Sequence, residues 1–292
     1  MYELNQLTDR TFYIESPAKI GLYKTGEDEV ILIDTGNDIS AAKKVKKILN
    51  SQGWKLKAIY NTHSNVDHIG GNQYLQKQFG CPIYSPDIEA CFSRHPQLEP
   101  SLLYGGFPFK ELRHKFLMAK PSDVQDLKPE NLPEGFEMID LPGHFLQMAG
   151  FKTPDGVIFL ADCLSSEATI DKYALSFIYD VKSYLQTLEV IKKLRADWFV
   201  PAHAEAAQDI QKLADLNIRT VHEIEDAILL FCKDPIGFED LLAKVFEHYG
   251  LMMTYEQYVL IGSTLRSYLA YLKDEGRLNS FFENNRLYFQ AV

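Results

Sequence analysis

The stretch Tyr60-Asn61-Thr62-His63-Ser64-Asn65-Val66-Asp67-His68-Ile69-Gly70-Gly71 places two imidazoles, a carboxylate and an amide within six residues. Before it, Lys57 to Tyr60 reads as a strand; after it, Gly71 to Phe79 carries apolar residues at helical spacing. The segment is therefore a loop at a sheet edge, where α/β folds put their chemistry. His and Asp are natural zinc ligands, so groups this close can converge on a cation. Taken alone, the segment also reads as a polar surface loop.

Working outward, Thr11 to Glu15 and Ile20 to Lys24 read as strands, and Val30 to Asp34 as a buried one that Thr35-Gly36-Asn37 breaks. Ile39 to Leu49 is helical. Phe136 to Leu141, Gly150 to Lys152 and Val157 to Leu160 supply a second set of strands, followed by a helix from Val181 to Leu194 and the short strand Trp198 to Val200. Two stacked mixed sheets with outer helices fit this rhythm. Between Ser85 and Glu134, seven prolines punctuate an irregular pattern, and a structureless loop of that length is usually functional. Its Leu102 to Phe116 part, rich in Leu, Tyr and Phe, reads either as a lid over an apolar group or as core or interface surface.

Four of the eight histidines follow or end strands together with acids: His63 and His68 after the first, His144 in Leu141-Pro142-Gly143-His144, and His203 in Val200-Pro201-Ala202-His203. Asp162 ends Phe159-Leu160-Ala161-Asp162 in the same way. His95, His114, His222 and His248 fall in loop or helical contexts and receive no role.

In order and spacing these motifs resemble the metallo-β-lactamase superfamily: a strand ending in Asp-Thr-Gly (Asp34-Thr35-Gly36), then HxHxDH (His63-x-Asn65-x-Asp67-His68), a Gly-His (Gly143-His144), a strand-end Asp (Asp162) and a final His (His203). The match runs from about Leu4 to Ala206. The resemblance implies an α/β chain built as an αββα sandwich with a metal site between the sheet edges. It implies a first metal on His63, the position of Asn65, and His144, and a second on Asp67, His68 and His203, with Asp162 bridging and Asp34 orienting ligands. It also implies zinc, one or two ions, with iron or manganese as alternatives, and hydrolysis by a metal-activated water that Asp67 orients as general base.

Two positions depart from the pattern. Asn65 stands where the family has histidine, and a neutral amide oxygen is the weaker zinc donor, so the second site is expected to fill first. Some β-lactamases of the superfamily carry Asn at a first-site position and work with one zinc. Phe145-Leu146-Gln147-Met148 replaces a frequent Thr-Pro-Gly turn and is expected to reshape its loop.

From Asp215 onward the signals are helical: a stripe Ile218, Val221, Ile224, Ile228, then Phe238 to Tyr249, then Tyr255 to Leu272, followed by a hairpin from Leu278 to Phe289. Residues 1–214 are thus expected as the metal-binding domain and 215–292 as a small second domain. The latter resembles the winged-helix appendage of several family members. From Glu205 to the end, however, fourteen acidic residues face eight Lys or Arg, which opposes a phosphate-binding face and leaves homodimer contacts or one wall of the active site.

Composition narrows the function further. The 292 residues carry 40 Asp plus Glu against 30 Lys plus Arg, a formal charge of −10, which disfavours generic nucleic-acid binding. The start Met1-Tyr2-Glu3-Leu4-Asn5 has no cationic or apolar leader, and no run approaches the roughly 20 apolar residues of a membrane span. Four scattered cysteines, Cys81, Cys91, Cys163 and Cys232, form no CxxC pair and suggest reduced thiols, hence a cytoplasmic protein. The expected function is hydrolysis of a small-molecule ester or thioester. A phosphodiesterase or nuclease, and a non-catalytic metal-binding or sensing protein, are the alternatives.

Overall fold

The computed structural model describes residues 2–292; Met1, which opens the stretch read above for a leader, lies outside them. The first sheet runs in chain order through β1 (Leu4–Gln6), β2 (Thr11–Ile14), β3 (Ile20–Lys24), β4 (Glu29–Ile33), β5 (Lys55–Tyr60), β6 (Ile83–Ser85) and β7 (Val124–Asp126). β1 to β4 pair antiparallel, and β4 to β7 are parallel. The second sheet contains β8 (Glu137–Asp140), β9 (Ala149–Lys152), β10 (Val157–Ser165) and β11 (Trp198–His203), ordered β11-β10-β9-β8, with only β10 and β11 parallel.

The period of two along each strand explains the layering. In β4, Val30 and Leu32 face helices α1 (Ile39–Gln52) and α3 (Asn72–Phe79), joining Val45, Leu49 and Leu75 in one core. The alternate residues Ile31 and Ile33 face the second sheet and meet Tyr60, Phe151, Val157 and Phe159 between the sheets. On the far side of β10, Ile158 and Leu160 pack under α7 (Val181–Ile191), which follows the short helix α6 (Glu167–Tyr173), and under α8 (Gln211–Phe231). The result is an αββα sandwich with three apolar layers.

The segment from Ser85 to Glu134 is not structureless. It contains α4 (Asp87–Arg94), α5 (Leu98–Tyr104) and the edge strand β7, besides two short 3₁₀ turns. Pro86 stands at the N-cap of α4 and Pro100 in the first turns of α5, where proline is tolerated, so the prolines mark helix starts rather than continuous loop. Leu103 and Leu112 of the expected lid, with Leu117 after it, pack with Val259 of the C-terminal unit, whereas Tyr104, Phe107 and Phe116 are exposed.

That unit comprises α8, α9 (Phe238–His248) and α10 (Tyr255–Asp274) with a three-stranded antiparallel sheet, β12 (Ile236–Gly237), β13 (Leu278–Glu283) and β14 (Arg286–Ala291), ordered β12-β14-β13. Asn284 and Asn285 both take positive φ, 49° and 60°, in the two-residue turn of the β13–β14 hairpin. α8 begins at Gln211, ahead of residue 215, and its Val221, Ile224 and Ile228 share one core with Leu160, Tyr184 and Leu188. Among the described residues no helix is long and apolar enough to cross a membrane.

Candidate active site

The sequence-selected side chains meet at the C-terminal edges of the two sheets. β4 ends at Ile33, and the next residue, Asp34, sits in the left-handed region at φ 65°, a strained conformation for a residue with a side chain. It is buried beside Thr62 and His68 of the β5 loop. His68 donates from Nδ1 to Asp34 Oδ2 at 2.7 Å. Thr62 donates to the same carboxylate through both its backbone N–H, at 2.9 Å, and its hydroxyl, at 2.8 Å. Because that hydroxyl proton is committed, Thr62 Oγ1 accepts from His63 Nδ1 at 2.9 Å. Asp34 thereby orients both imidazoles through Nδ1 and leaves both Nε2 atoms facing the site.

A β-bulge aims the central carboxylate. The register of β10 against β11 shifts between Phe159 and Ala161, and Ala161 takes φ 49°, so Asp162 turns into the site although β10 continues to Ser165. His203 is the last residue of β11, and its Nδ1 donates to the carbonyl of Pro17 at 2.9 Å. Gly143, at φ 118°, precedes His144; a Cβ there would stand 2.2 Å from the backbone nitrogen of Tyr184, so only glycine lets the His144 loop pack against α7.

Two donor groups result. Asp67, His68, Asp162 and His203 each offer one atom within 4.8 Å of the others, and so do His63, His144 and Asp162. His203 Nε2 lies 3.1 Å from Asp162 Oδ2 and 3.3 Å from Asp67 Oδ2; His144 Nε2 lies 3.5 Å from Asp162 Oδ2. Asn65 places Oδ1 at 3.1 Å from His144 Nε2. His63 Nε2, His68 Nε2 and Asp162 Oδ1 are buried without a hydrogen-bond partner, although His68 Nε2 and Asp162 Oδ1 are only 2.9 Å apart. Buried polar atoms are ordinarily paired. Orphans converging from several directions are what a shared divalent cation satisfies, and imidazole plus carboxylate is the donor set for one.

The electrostatics agree. Burial opposes charge on His68, but Asp162, Asp67 and Asp34 outweigh it and hold its pKa well above the usual imidazole value. Burial likewise opposes charge on His203, yet Asp162 and Asp67 push it up to about 10. Burial works against ionisation of Asp67 and Asp162, and His68 and His203 hold both below the usual carboxylate range. A centre that stabilises positive charge so strongly suits a cation. On the other side, burial and His68 hold His63 low, and burial lowers His144, keeping neutral lone pairs available. Burial, then Asp162, pushes the Cys163 thiol well up, which leaves it an inert packed group.

Sequence reasoning missed two acids. Glu89 of α4, fully buried, accepts from the backbone and hydroxyl of Ser64 at 3.0 and 2.6 Å and from the backbone of Gln147 at 2.7 Å, tying the two ligand loops together. In the Phe145-Leu146-Gln147-Met148 segment, Gln147 also accepts from Ile88 N, and Phe145 is buried against Phe92 and Phe177. Glu99 of α5 accepts from Asn65 Nδ2 at 2.8 Å, and burial pushes its carboxyl up to about 8. No local motif announces either acid.

The metallo-beta-lactamase superfamily model matches residues 15–203. The chain belongs to that superfamily. It accordingly has the metallo-beta-lactamase fold, with a cluster of His and Asp side chains that could hold metal at the expected sheet edge. Over 52 residues it is 36% identical to hydroxyacylglutathione hydrolases of Brucella ovis and Brucella abortus, 18% of this chain and 20% of theirs, so it spans about a fifth of the length of these relatives. A metallo-beta-lactamase family protein from Thermus thermophilus shares the fold at TM-score 0.74 and 18% identity, covering 96% of this chain and 97% of that one. A beta-lactamase domain protein from Burkholderia ambifaria does so at 0.73 and 14%, covering 99% and 94%. A metallo-beta-lactamase from Pontibacter korlensis covers 75% of this chain and 98% of its own, at TM-score 0.58 and 16% identity.

Both donor groups border one cavity of about 650 Å³. Its walls are largely apolar: Phe116, Leu117, Leu175 and Phe177 from the αββα body, Leu260 and Ile261 from α10. Of the two roles expected for the C-terminal unit, dimer contact or active-site wall, these contacts are those of a wall.

Proposed function

We propose that the chain hydrolyses a small ester or thioester with a metal-activated water. The observation that carries this reading is a two-group donor cluster sharing Asp162 at one side of a cavity that is otherwise lined in large part by apolar side chains. Such a pocket suits an acyl or aromatic group beside a polarised carbonyl. The resemblance to relatives named for hydrolysing hydroxyacylglutathione, an S-acyl thioester, supports the same class.

Zinc fits the donors best, with iron or manganese acceptable to the same set. His63, His144 and Asp162, with the Asn65 oxygen, would hold one ion; Asp67, His68, Asp162 and His203 would hold the other. Bound there, such an ion lowers the pKa of water toward neutrality and polarises the substrate carbonyl. Asp67, ionised and facing the cavity, orients that water and takes its proton. Asp34 and Pro17 hold the ligand rings in place, while Phe116, Phe177 and Leu260 exclude bulk water and seat the acyl group.

Residues from α8 onward form, in this reading, a winged-helix-like second domain that serves as cavity wall. A phosphodiester fits less well, because the lining includes Asp67, Glu99 and Asp162 with Lys172 its one Lys or Arg. The test is metal analysis together with turnover of a panel of thioesters, lactones, β-lactams and phosphodiesters. Thioesters or simple esters should be hydrolysed fastest; turnover confined to phosphodiesters, or none by metal-loaded protein, overturns the reading.

A further inference from the structure

Asn65 can ligate only through its amide oxygen, and an amide free to turn would not hold that oxygen toward the site. An amide presents an oxygen on one side and an NH₂ on the other, and nothing in the β5 loop itself chooses between them. Asn65 makes no side-chain cap to α2 (Val66–Ile69), the short helix that it precedes. What fixes the amide comes from a different layer. Glu99, 6% exposed on α5, accepts from Asn65 Nδ2 at 2.8 Å, and Asn65 Oδ1 consequently points the opposite way, 3.1 Å from His144 Nε2. Glu99 is not in either donor group. A turned amide would set its carbonyl against the Glu99 oxygen and leave Nδ2, which cannot bind a cation, facing His63 and His144.

We infer that Glu99 is a positioning residue that converts Asn65 into an oxygen ligand of the first metal, so that the first group consists of His63, His144, Asp162 and the Asn65 carbonyl. This rests on the metal-dependent reading above and deepens it. An ionised Glu99 carboxylate can only accept, which excludes the turned amide. Second contacts of this kind typically change metal affinity by about 10- to 100-fold. The substitution of imidazole by amide at position 65 is thus matched 34 residues later by an acid that no metal-ligand motif contains.

The experiment is calorimetric titration of the metal-free, full-length protein with Zn²⁺, repeated with Co²⁺ and read by visible absorption. Two classes of site are expected in the parent. Glu99→Leu should weaken one of them by about 10- to 100-fold and leave the other within about threefold. Glu99→Gln should lose less, because an amide pair can form in both senses. In an Asn65→Ala background, Glu99→Leu should have no further effect on the weaker site, since Glu99 acts only through Asn65. Should Glu99→Leu fail to fold, as judged by circular dichroism, Glu99→Gln with and without Asn65→Ala supplies the same comparison. The inference is overturned by unchanged affinities, by both sites weakening together, by an undiminished effect in the Asn65→Ala background, or by a parent that binds one ion only. A parent that binds no metal at all overturns instead the hydrolase reading on which it rests.

Discussion

Asp34 Oδ2 and His68 Nδ1 lie 2.7 Å apart, and through the hydroxyl of Thr62 the same carboxylate also orients His63. One residue, held in a strained left-handed conformation, therefore governs a histidine in each donor group. Asp34→Ala should weaken both metals, the His68 group by about 10- to 100-fold, as read by competition with a chelating dye. Affinities within about threefold of the parent would show that the rings hold their orientation without it.

Gly143 allows the His144 loop to lie against the backbone of α7, where a Cβ would sit 2.2 Å from Tyr184 N and 2.4 Å from its Cα. Gly143→Ala should cost about 2 kcal/mol or more in denaturant unfolding and displace His144 from the first group. A loss under about 1 kcal/mol with unchanged metal binding contradicts this.

The far end of the sandwich carries an acid-sensitive clip. Asp155 Oδ1 accepts from Thr11 of β2 and from Thr153 in the β9–β10 connection, each at 2.6 Å, and Asp155 Oδ2 accepts from Thr8. Burial opposes its ionisation, but these hydroxyls outweigh it and hold its pKa below the ordinary carboxylate value of 3.8. A lowered folded-state pKa means that the stabilisation is complete above the unfolded value near 4 and is lost as pH falls through the folded one. Asp155→Asn should therefore lose about 1 kcal/mol at pH 7, the half-exposed site screening the rest, and its deficit should shrink below pH 4. A deficit that stays constant from pH 7 to pH 3 rules out the ionised carboxylate as its source.

Asp67 borders the cavity and also touches His203, at 3.3 Å, so its removal should harm both binding and proton transfer. Asp67→Ala is expected to lose more than tenfold in turnover, above about 1.4 kcal/mol in barrier. Steady-state kinetics at saturating metal check this, and a smaller loss would assign the proton to another group.

Asn65→His should raise affinity in the first group by about tenfold or more, because imidazole is the better donor and Glu99 stands ready to accept from its second nitrogen. Unchanged stoichiometry and affinity in calorimetry would mean that the loop does not offer a ligand from position 65.

Much of this was legible in the sequence because it is local. The runs around Val30, Ile59 and Val157 show their alternation directly, and His63 to His68 crowd one loop by covalent necessity. What was not legible is tertiary. α4 and α5 span eight and seven residues, too few to display a helical stripe between prolines, so the segment looked like loop and hid Glu89 and Glu99. Their partners, Ser64, Gln147 and Asn65, are distant in sequence and meet them only when the layers close. The bulge at Ala161, which extends β10 through Asp162, depends on pairing with β11 and leaves no mark in the residue pattern.

The central claim is that the Asp162-centred cluster holds the ions that drive hydrolysis of an acyl substrate in the adjoining cavity. Its most direct test is the initial rate of hydrolysis of an S-acyl thioester, followed as Zn²⁺ is added in steps to the metal-free protein. The rate should rise from background, saturate within two equivalents, and stay at background throughout in a His68→Ala, His203→Ala double variant. A rate independent of added metal, or equal in the double variant, would contradict it.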